Sequence, residues 1–230
     1  MKNAPGIPRK TRVIGVIASE NDLEAALGEA GKFIDLCELR IDILQPCSAG
    51  MRDLAGALPI PRVVTVRDPA EGGLNHLSEA RRSELFEEWF TLSDYIDLEL
   101  RNLARFSRLA GRAEAAGKQI IVSLHDFDRT PSLEELATAL DKCKLARSRI
   151  FKIACKVTCW NDVKVLSEFL EKHQETPIAV MGMGPLGKLS RLLFAGLGSE
   201  LAYVSLGQAV APGQWPADKF RLLLSELERR

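Results

Sequence analysis

The sequence predicts an α/β protein, a single-domain (β/α)8 barrel of the TIM type. Three observations carry that prediction. Short β-branched apolar runs alternate with amphipathic helical patterns along the whole chain, which is the signature of a parallel sheet covered by helices. Eight such units share 230 residues, about 29 each, near the ~30 of a strand–helix–strand repeat. No Gly-x-Gly-x-x-Gly follows the first run, so the open dinucleotide-binding sheet lacks its main marker.

Each unit has its own local warrant. Val13–Ile17 is the first run, and a helix follows over Glu20–Ala30, with Leu23, Ala26, Leu27 and Ala30 at helical spacing. Phe33–Leu39 is the second, with a short helix near Arg52–Ala57. Arg62–Val66 is the third, and Ser78 caps a helix reaching about Leu92. Tyr95–Leu100 is the fourth, with a helix to about Ala116 that Gly117 stops. Gln119–Leu124 is the fifth. Its helix opens at Thr130-Pro131-Ser132 with Glu134 and Glu135 in the first turn. Arg149–Ala154 and a helix over Asn161–His173 form the sixth unit; Pro177–Met181 and a helix from Gly187 to about Ala195 form the seventh. Ala202–Leu206, a Gly/Pro loop and a helix over Ala217–Glu228 complete the eighth. The expected organisation is a lead-in over residues 1–12 and one barrel over residues 13–230.

Composition narrows the class. Lys and Arg number 31 and Asp and Glu number 31, so there is no chain-wide basic excess of the kind nucleic-acid binding favours. Apolar residues make up 46% and charged residues 27%, as in ordinary globular domains and unlike collagenous or disordered chains. No apolar run approaches the ~18 residues of a membrane span, and no signal-peptide pattern follows the basic N-terminus. The five cysteines contain no Cys-x-x-Cys pair; they read as free thiols of a cytoplasmic protein.

The polar residues at the strand ends carry the chemistry. Residues two apart on a strand share a face. Five runs end in such a pair: Glu38 and Arg40, Thr65 and Arg67, Asp97 and Glu99, Ser123 and His125, Met181 and Met183. In a barrel these faces converge at the C-terminal mouth, where barrel enzymes keep their active sites. Lys152 lies among Ile150, Phe151, Ile153 and Ala154. Burial and nearby cations favour a neutral lysine amine, which attacks carbonyls; the plainer reading is a lysine reaching from a strand end to solvent. His125 is placed to shuttle protons. His76, in a polar loop, and His173, at a helix end, read as surface residues. Arg40, Arg67 and Arg191 offer cations for an anionic substrate, although each alone reads as a surface arginine.

These residues, in order and spacing, resemble the type I 3-dehydroquinate dehydratases (3-dehydroquinases) of the shikimate pathway. The markers are Glu38-Leu39-Arg40-Ile41-Asp42, Thr65-Val66-Arg67 with Glu71-Gly72-Gly73, Tyr95-Ile96-Asp97-Leu98-Glu99, and Ser123-Leu124-His125-Asp126-Phe127 with Thr130-Pro131. Then come Phe151-Lys152-Ile153-Ala154, Met181-Gly182-Met183 with Gly187, Ser190 and Arg191, Gly198-Ser199, and Ala211-Pro212-Gly213-Gln214. They span nearly the whole chain.

The resemblance implies a (β/α)8-barrel hydro-lyase (EC 4.2.1.10) that turns 3-dehydroquinate into 3-dehydroshikimate without metal or organic cofactor, and a homodimer. Carried over, Lys152 forms the Schiff base, His125 is the general acid/base, and Glu71 orients and charges it. Glu38, Arg40, Arg67, Arg191 and Gln214 match substrate-binding positions: Arg191 for the carboxylate, Glu38 and Arg40 for ring hydroxyls. Met181, Met183 and Tyr203 line the floor under the ring, and the loop Gly207–Trp215 resembles a lid. The partner it implies is this small molecule, with no nucleic acid and no membrane. One position departs. Val210 stands where better-known members carry a hydrogen-bonding serine, which predicts weaker substrate binding. Two other readings stay open: a Schiff-base aldolase barrel, for which Gly182, Gly184 and Gly187 roughly imitate a phosphate site, and a non-catalytic binding paralogue, for which Val210 is the hint.

Overall fold

The computed structural model of the chain describes residues 10–146 and 148–228. Strands and helices alternate: β1 (Arg12–Ile17), α1 (Glu20–Leu27), β2 (Leu36–Arg40), α2 (Ala49–Ala57), β3 (Arg62–Thr65), α3 (Glu79–Trp89), β4 (Tyr95–Glu99) and α4 (Ser107–Ala115) come first. Next are β5 (Gln119–Asp126), α5 (Leu133–Leu145), β6 (Ile150–Lys156), α6 (Trp160–Lys172), β7 (Ile178–Met183) and α7 (Gly187–Gly196). The chain closes with β8 (Leu201–Ser205), β9 (Trp215–Pro216) and α8 (Ala217–Glu228). Local chemistry sets many of the boundaries. The hydroxyls of Ser19, Ser48, Ser78 and Ser132 each accept from a backbone N–H in the first turn of the following helix, filling part of the unpaired helix start. Gly117 ends α4 at φ +71°, a conformation that glycine adopts without a Cβ penalty.

All strands are parallel, in one curled sheet ordered β7-β6-β5-β4-β3-β2-β1-β8-β9. This is the predicted barrel, and its last seam is unusual. β7 and β8 lie side by side but are not ladder partners. Glu200 N–H donates to Ile178 O at 2.8 Å, and Val180 N–H donates to the Ser199 hydroxyl at 2.9 Å. Higher up, the buried Arg191 guanidinium donates to Gly182 O at 3.0 Å and to Tyr203 O at 3.3 Å. A side chain thus occupies the mouth end of the seam and satisfies carbonyls that a ladder would otherwise pair.

Two apolar layers follow from strand alternation. The larger lies between sheet and helices and includes Leu39, Val64, Phe86, Trp89, Phe151 and Phe194. The smaller fills the barrel interior with Ile14, Leu36, Val63, Ile121, Ile150 and Leu201 among others. At the C-terminal end the interior divides. Glu38, Thr65, Arg67, Asp97, Glu99, Ser123 and Lys152, all buried, come from β2–β6 and the turn after β3. Val16, Met181, Met183 and Tyr203 come from β1, β7 and β8. The mouth has one charged wall and one apolar wall.

The differences from the sequence reading have physical causes. The first helix stops at Leu27, and residues Glu29–Phe33 form a 3-10 turn, so the second strand starts at Leu36 and not at Phe33. β5, β6 and β7 run past their apolar stretches to Asp126, Lys156 and Met183, because parallel pairing continues through His125↔Ala154 and Lys156↔Met183. β9, two residues paired with Val204 and Ser205, has no apolar run to reveal it. Arg12 belongs to β1, and the Thr11 hydroxyl lies within hydrogen-bond reach of Ser199 O at 2.6 Å and Ala195 O at 2.9 Å, so the last two lead-in positions join the barrel; its residues 1–9 lie outside the described ones.

Candidate active site

Lys152 sits mid-strand in β6, its side chain 5% exposed. Its ammonium lies 2.9 Å from Asp97 Oδ2 and 3.2 Å from Glu38 Oε1, and 4.1 Å from the Tyr203 ring centroid. The sequence suggested cations around this lysine; its bonded neighbours are carboxylates, because the inward positions of β2 and β4 face it across the barrel. Those carboxylates are themselves fixed. The Thr65 hydroxyl donates to Glu38 Oε1, and the Ser123 hydroxyl donates to Asp97 Oδ1 at 2.6 Å. Arg67 bonds Asp97 Oδ1 at 3.0 Å and Glu99 Oε1 at 3.1 Å. Burial alone would raise the Asp97 pKa, but Arg67 and Lys152 outweigh it and hold the group below the usual carboxylate range.

His125 follows two residues beyond Ser123, the register partner of Lys152, so it rises above the lysine on the neighbouring strand. Its Nδ1 lies 2.9 Å from Glu71 Oε2, which also accepts from the His125 backbone N–H at 3.1 Å. Burial, then Arg67 and Lys152, push the His125 pKa well down. The site therefore favours the neutral imidazole, with Nδ1 engaged by Glu71. Burial also pushes the Glu71 carboxyl up to about 7, against the lowering effect of Arg67. Glu71 is thus bonded to both the backbone nitrogen and Nδ1 of His125, while burial and the surrounding cations disfavour the charged imidazolium. Glu71 ends the 3-10 turn Pro69–Glu71, after which Gly72 takes φ +88° with the Phe127 ring where a Cβ would stand.

The three candidate arginines are held differently. Arg40 is paired bidentately with Asp42 at 3.0 and 2.8 Å, and Arg67 is committed to Asp97 and Glu99. Among the described residues Arg191 hydrogen-bonds the two carbonyls of the β7–β8 seam, and burial lowers its pKa to about 10. Of the three, it is the one with no carboxylate bonded to it. Met181, Met183 and Tyr203 are buried in the apolar wall, and the Tyr203 hydroxyl has no hydrogen-bond partner among the described residues. Gln214 Oε1 accepts from Val210 N–H at 2.9 Å and from Ala211 N–H at 3.3 Å, bracing the loop before it. Val210 packs against the interior apolar cluster. Among the described residues no three His, Cys, Asp or Glu side chains group as metal ligands.

Several polar residues beyond the expected set join this network. Asp97, Glu99, Thr65 and Ser123 were visible as strand-end pairs, without a role. Arg82, Asn102 and Asp68 lie outside those strand-end pairs. Arg82 carried a legible signal: it stands with Leu85, Phe86 and Trp89 on the buried stripe of α3, where an arginine needs buried partners.

Known proteins share this arrangement of chain. The family model described as type I 3-dehydroquinase matches residues 13–229. A 3-dehydroquinate dehydratase of Methanosarcina acetivorans is 34% identical, over 96% of this chain and 97% of its own. The crystal structure of the 3-dehydroquinate dehydratase from Aquifex aeolicus VF5 is 30% identical, with a TM-score of 0.82 over 96% of this chain and 100% of its own. That from Geobacillus kaustophilus HTA426 is 28% identical, with a TM-score of 0.82 over 95% and 91%. With nearly every strand, helix and mouth residue inside the matched span, the chain belongs to the type I 3-dehydroquinase family.

Proposed function

We propose that this protein converts 3-dehydroquinate to 3-dehydroshikimate and water through an imine on Lys152. The observation that carries the reading is a buried lysine inside the mouth with a histidine, held by a glutamate, on the adjacent strand. The substrate carboxylate takes Arg191, the cation without a bonded carboxylate. Glu38, Arg40, Arg67 and Gln214 hold the ring's polar groups, and the ring rests on Met181, Met183 and Tyr203.

Lys152 Nζ passes a proton to the bonded Glu38 carboxylate and attacks the ring ketone; that proton and one from the nitrogen end on the ketone oxygen, which leaves as water with an iminium formed. The iminium withdraws electrons and acidifies the adjacent C2–H. His125 Nε2 takes that proton, and its electron pair moves into an enamine. The enamine then expels the C1 hydroxyl, to which the imidazolium returns the proton, releasing water. One water hydrolyses the new iminium and frees Lys152, so the net loss is one water. The loop Gly207–Trp215 covers the ring and limits solvent access. The five free thiols suit a reducing cytoplasm, and no described helix is long and apolar enough to cross a membrane.

Sodium borohydride added during turnover reduces an imine to a stable secondary amine. The expected result is a mass increase on Lys152 with 3-dehydroquinate, together with rising enone absorbance in the untreated reaction. Absence of the adduct while the enone forms would falsify the imine. Lys152→Ala is expected to fold and to lose nearly all turnover, whereas His125→Ala loses turnover but still yields the reduced adduct.

A further inference from the structure

The turn that carries Glu71 is held by a residue of this network that has no role in the reaction proposed above. Asp68 precedes it, and its backbone and carboxylate groups are all engaged. Its N–H donates to Glu99 Oε1 at 2.9 Å. Its carbonyl accepts from Glu71 N–H at 2.8 Å and from Gly73 N–H at 2.9 Å. Its Oδ1 accepts from Ala70 N–H at 2.8 Å. Its Oδ2 accepts from Asn102 Nδ2 at 2.8 Å and from the Arg82 guanidinium at 3.1 Å. Arg82 is pinned in turn: Nε donates to Val66 O at 3.0 Å and a terminal nitrogen bonds Glu99 Oε2 at 2.7 Å. The turn is thereby tied to α3, to β4 and to the segment after β4.

We propose that Asp68 is a positioning residue for proton transfer, clamping the turn so that Glu71 presents Oε2 to His125. The inference rests on the function proposed above. Lys152 is bonded directly by Asp97 and Glu38; Asp68 bonds neither and reaches them only through Glu99 and Arg67. Loosening Asp68 therefore disturbs the base while leaving the nucleophile seated. A displacement of about 1 Å in a catalytic group is enough to cost on the order of a hundredfold in rate.

The test uses the full chain with Asp68→Ala and Asp68→Asn, and 3-dehydroquinate bearing hydrogen or deuterium at C2. Asp68→Asn keeps an acceptor for Ala70 N–H but has one carboxamide oxygen where Asn102 and Arg82 need a second. The expected result for Asp68→Ala is a kcat lower by about ten- to a hundredfold, a larger deuterium isotope effect on kcat, and borohydride trapping at Lys152 at the wild-type rate. Asp68→Asn falls between, and it decides the matter by the same readouts if the alanine variant does not fold. Wild-type kcat and isotope effect in a folded variant overturn the proposal, as does a parallel fall of trapping and turnover, which marks a general structural role. Failure of the wild type to trap substrate sinks the imine reading instead, so the two failures are distinguishable.

Discussion

Glu71 shows how a single residue trades stability for chemistry. Its carboxyl is raised from 4.5 to about 7 by burial. A raised folded pKa means stability that is complete below the unfolded value and lost as pH climbs through the folded one. Charging Glu71 therefore works against the fold between about pH 4.5 and 7. Glu71→Gln keeps the shape and an acceptor for His125 but carries no charge. Thermal unfolding is expected to show this variant more stable than the wild type at pH 8, by on the order of 3 kcal/mol, with the gap closing by about pH 4.5. Its kcat is expected to fall. A gap independent of pH would assign the penalty to packing. Val210 is the second informative residue. Val210→Ser restores a donor at the cost of apolar contact in the interior cluster. One neutral hydrogen bond is worth about 1 kcal/mol, so kcat/KM is expected to rise about fivefold; an unchanged or lower value removes the idea that this valine weakens substrate binding.

The element that matters most to access is the segment from β8 to α8. Its far end is fastened: β9 pairs with β8, and Trp215 Nε1–H donates to Lys188 O at 2.8 Å. Gly213 lies at φ +83° against Gly187 at the start of α7, where a Cβ would come 2.9 Å from the Gly187 Cα. Both the backbone conformation and the close approach require glycine. Gly213→Ala pushes the loop away from α7, and Gln214 with it. The expected outcome is a higher KM with a smaller effect on Tm, since the strain falls on a half-buried loop outside the apolar core; an unchanged KM would show that the loop does not help hold substrate.

At the scale of the whole molecule, a chain with equal numbers of positive and negative residues buries an ionic network through its mouth. Arg82, Glu99, Arg67, Asp97, Lys152 and Glu38 form one connected path. Such networks gain little net stability, but breaking one leaves a buried charge uncompensated. Asp97→Asn is therefore expected to destabilise by about 3–5 kcal/mol at neutral pH. A depressed folded pKa contributes stability above the unfolded value and loses it as pH falls through the folded one. The deficit of Asp97→Asn should then shrink as pH falls below about 3.8, where the unfolded wild-type chain takes up a proton that the folded carboxylate still refuses. A deficit constant with pH would contradict the ion-pair account.

Much of this protein was determined by local patterns. The alternation of apolar runs and amphipathic helices established eight units and a barrel, and serine caps and Gly117 placed helix ends. The inward period of two put Glu38, Arg67, Asp97, Ser123 and Lys152 at one mouth. These features depend on a few neighbouring residues, so sequence alone determines them. Pairing across the barrel depends on residues far apart in the chain. Lys152 faces Glu38, 114 positions away, and not a cation. Arg191 fills a seam between two strands, and Arg82 reaches from a helix to a strand end. Burial then shifted His125 down and Glu71 up. Desolvation and Coulomb forces act through space and not along the chain, so the charge state of the site was decided only when the barrel closed.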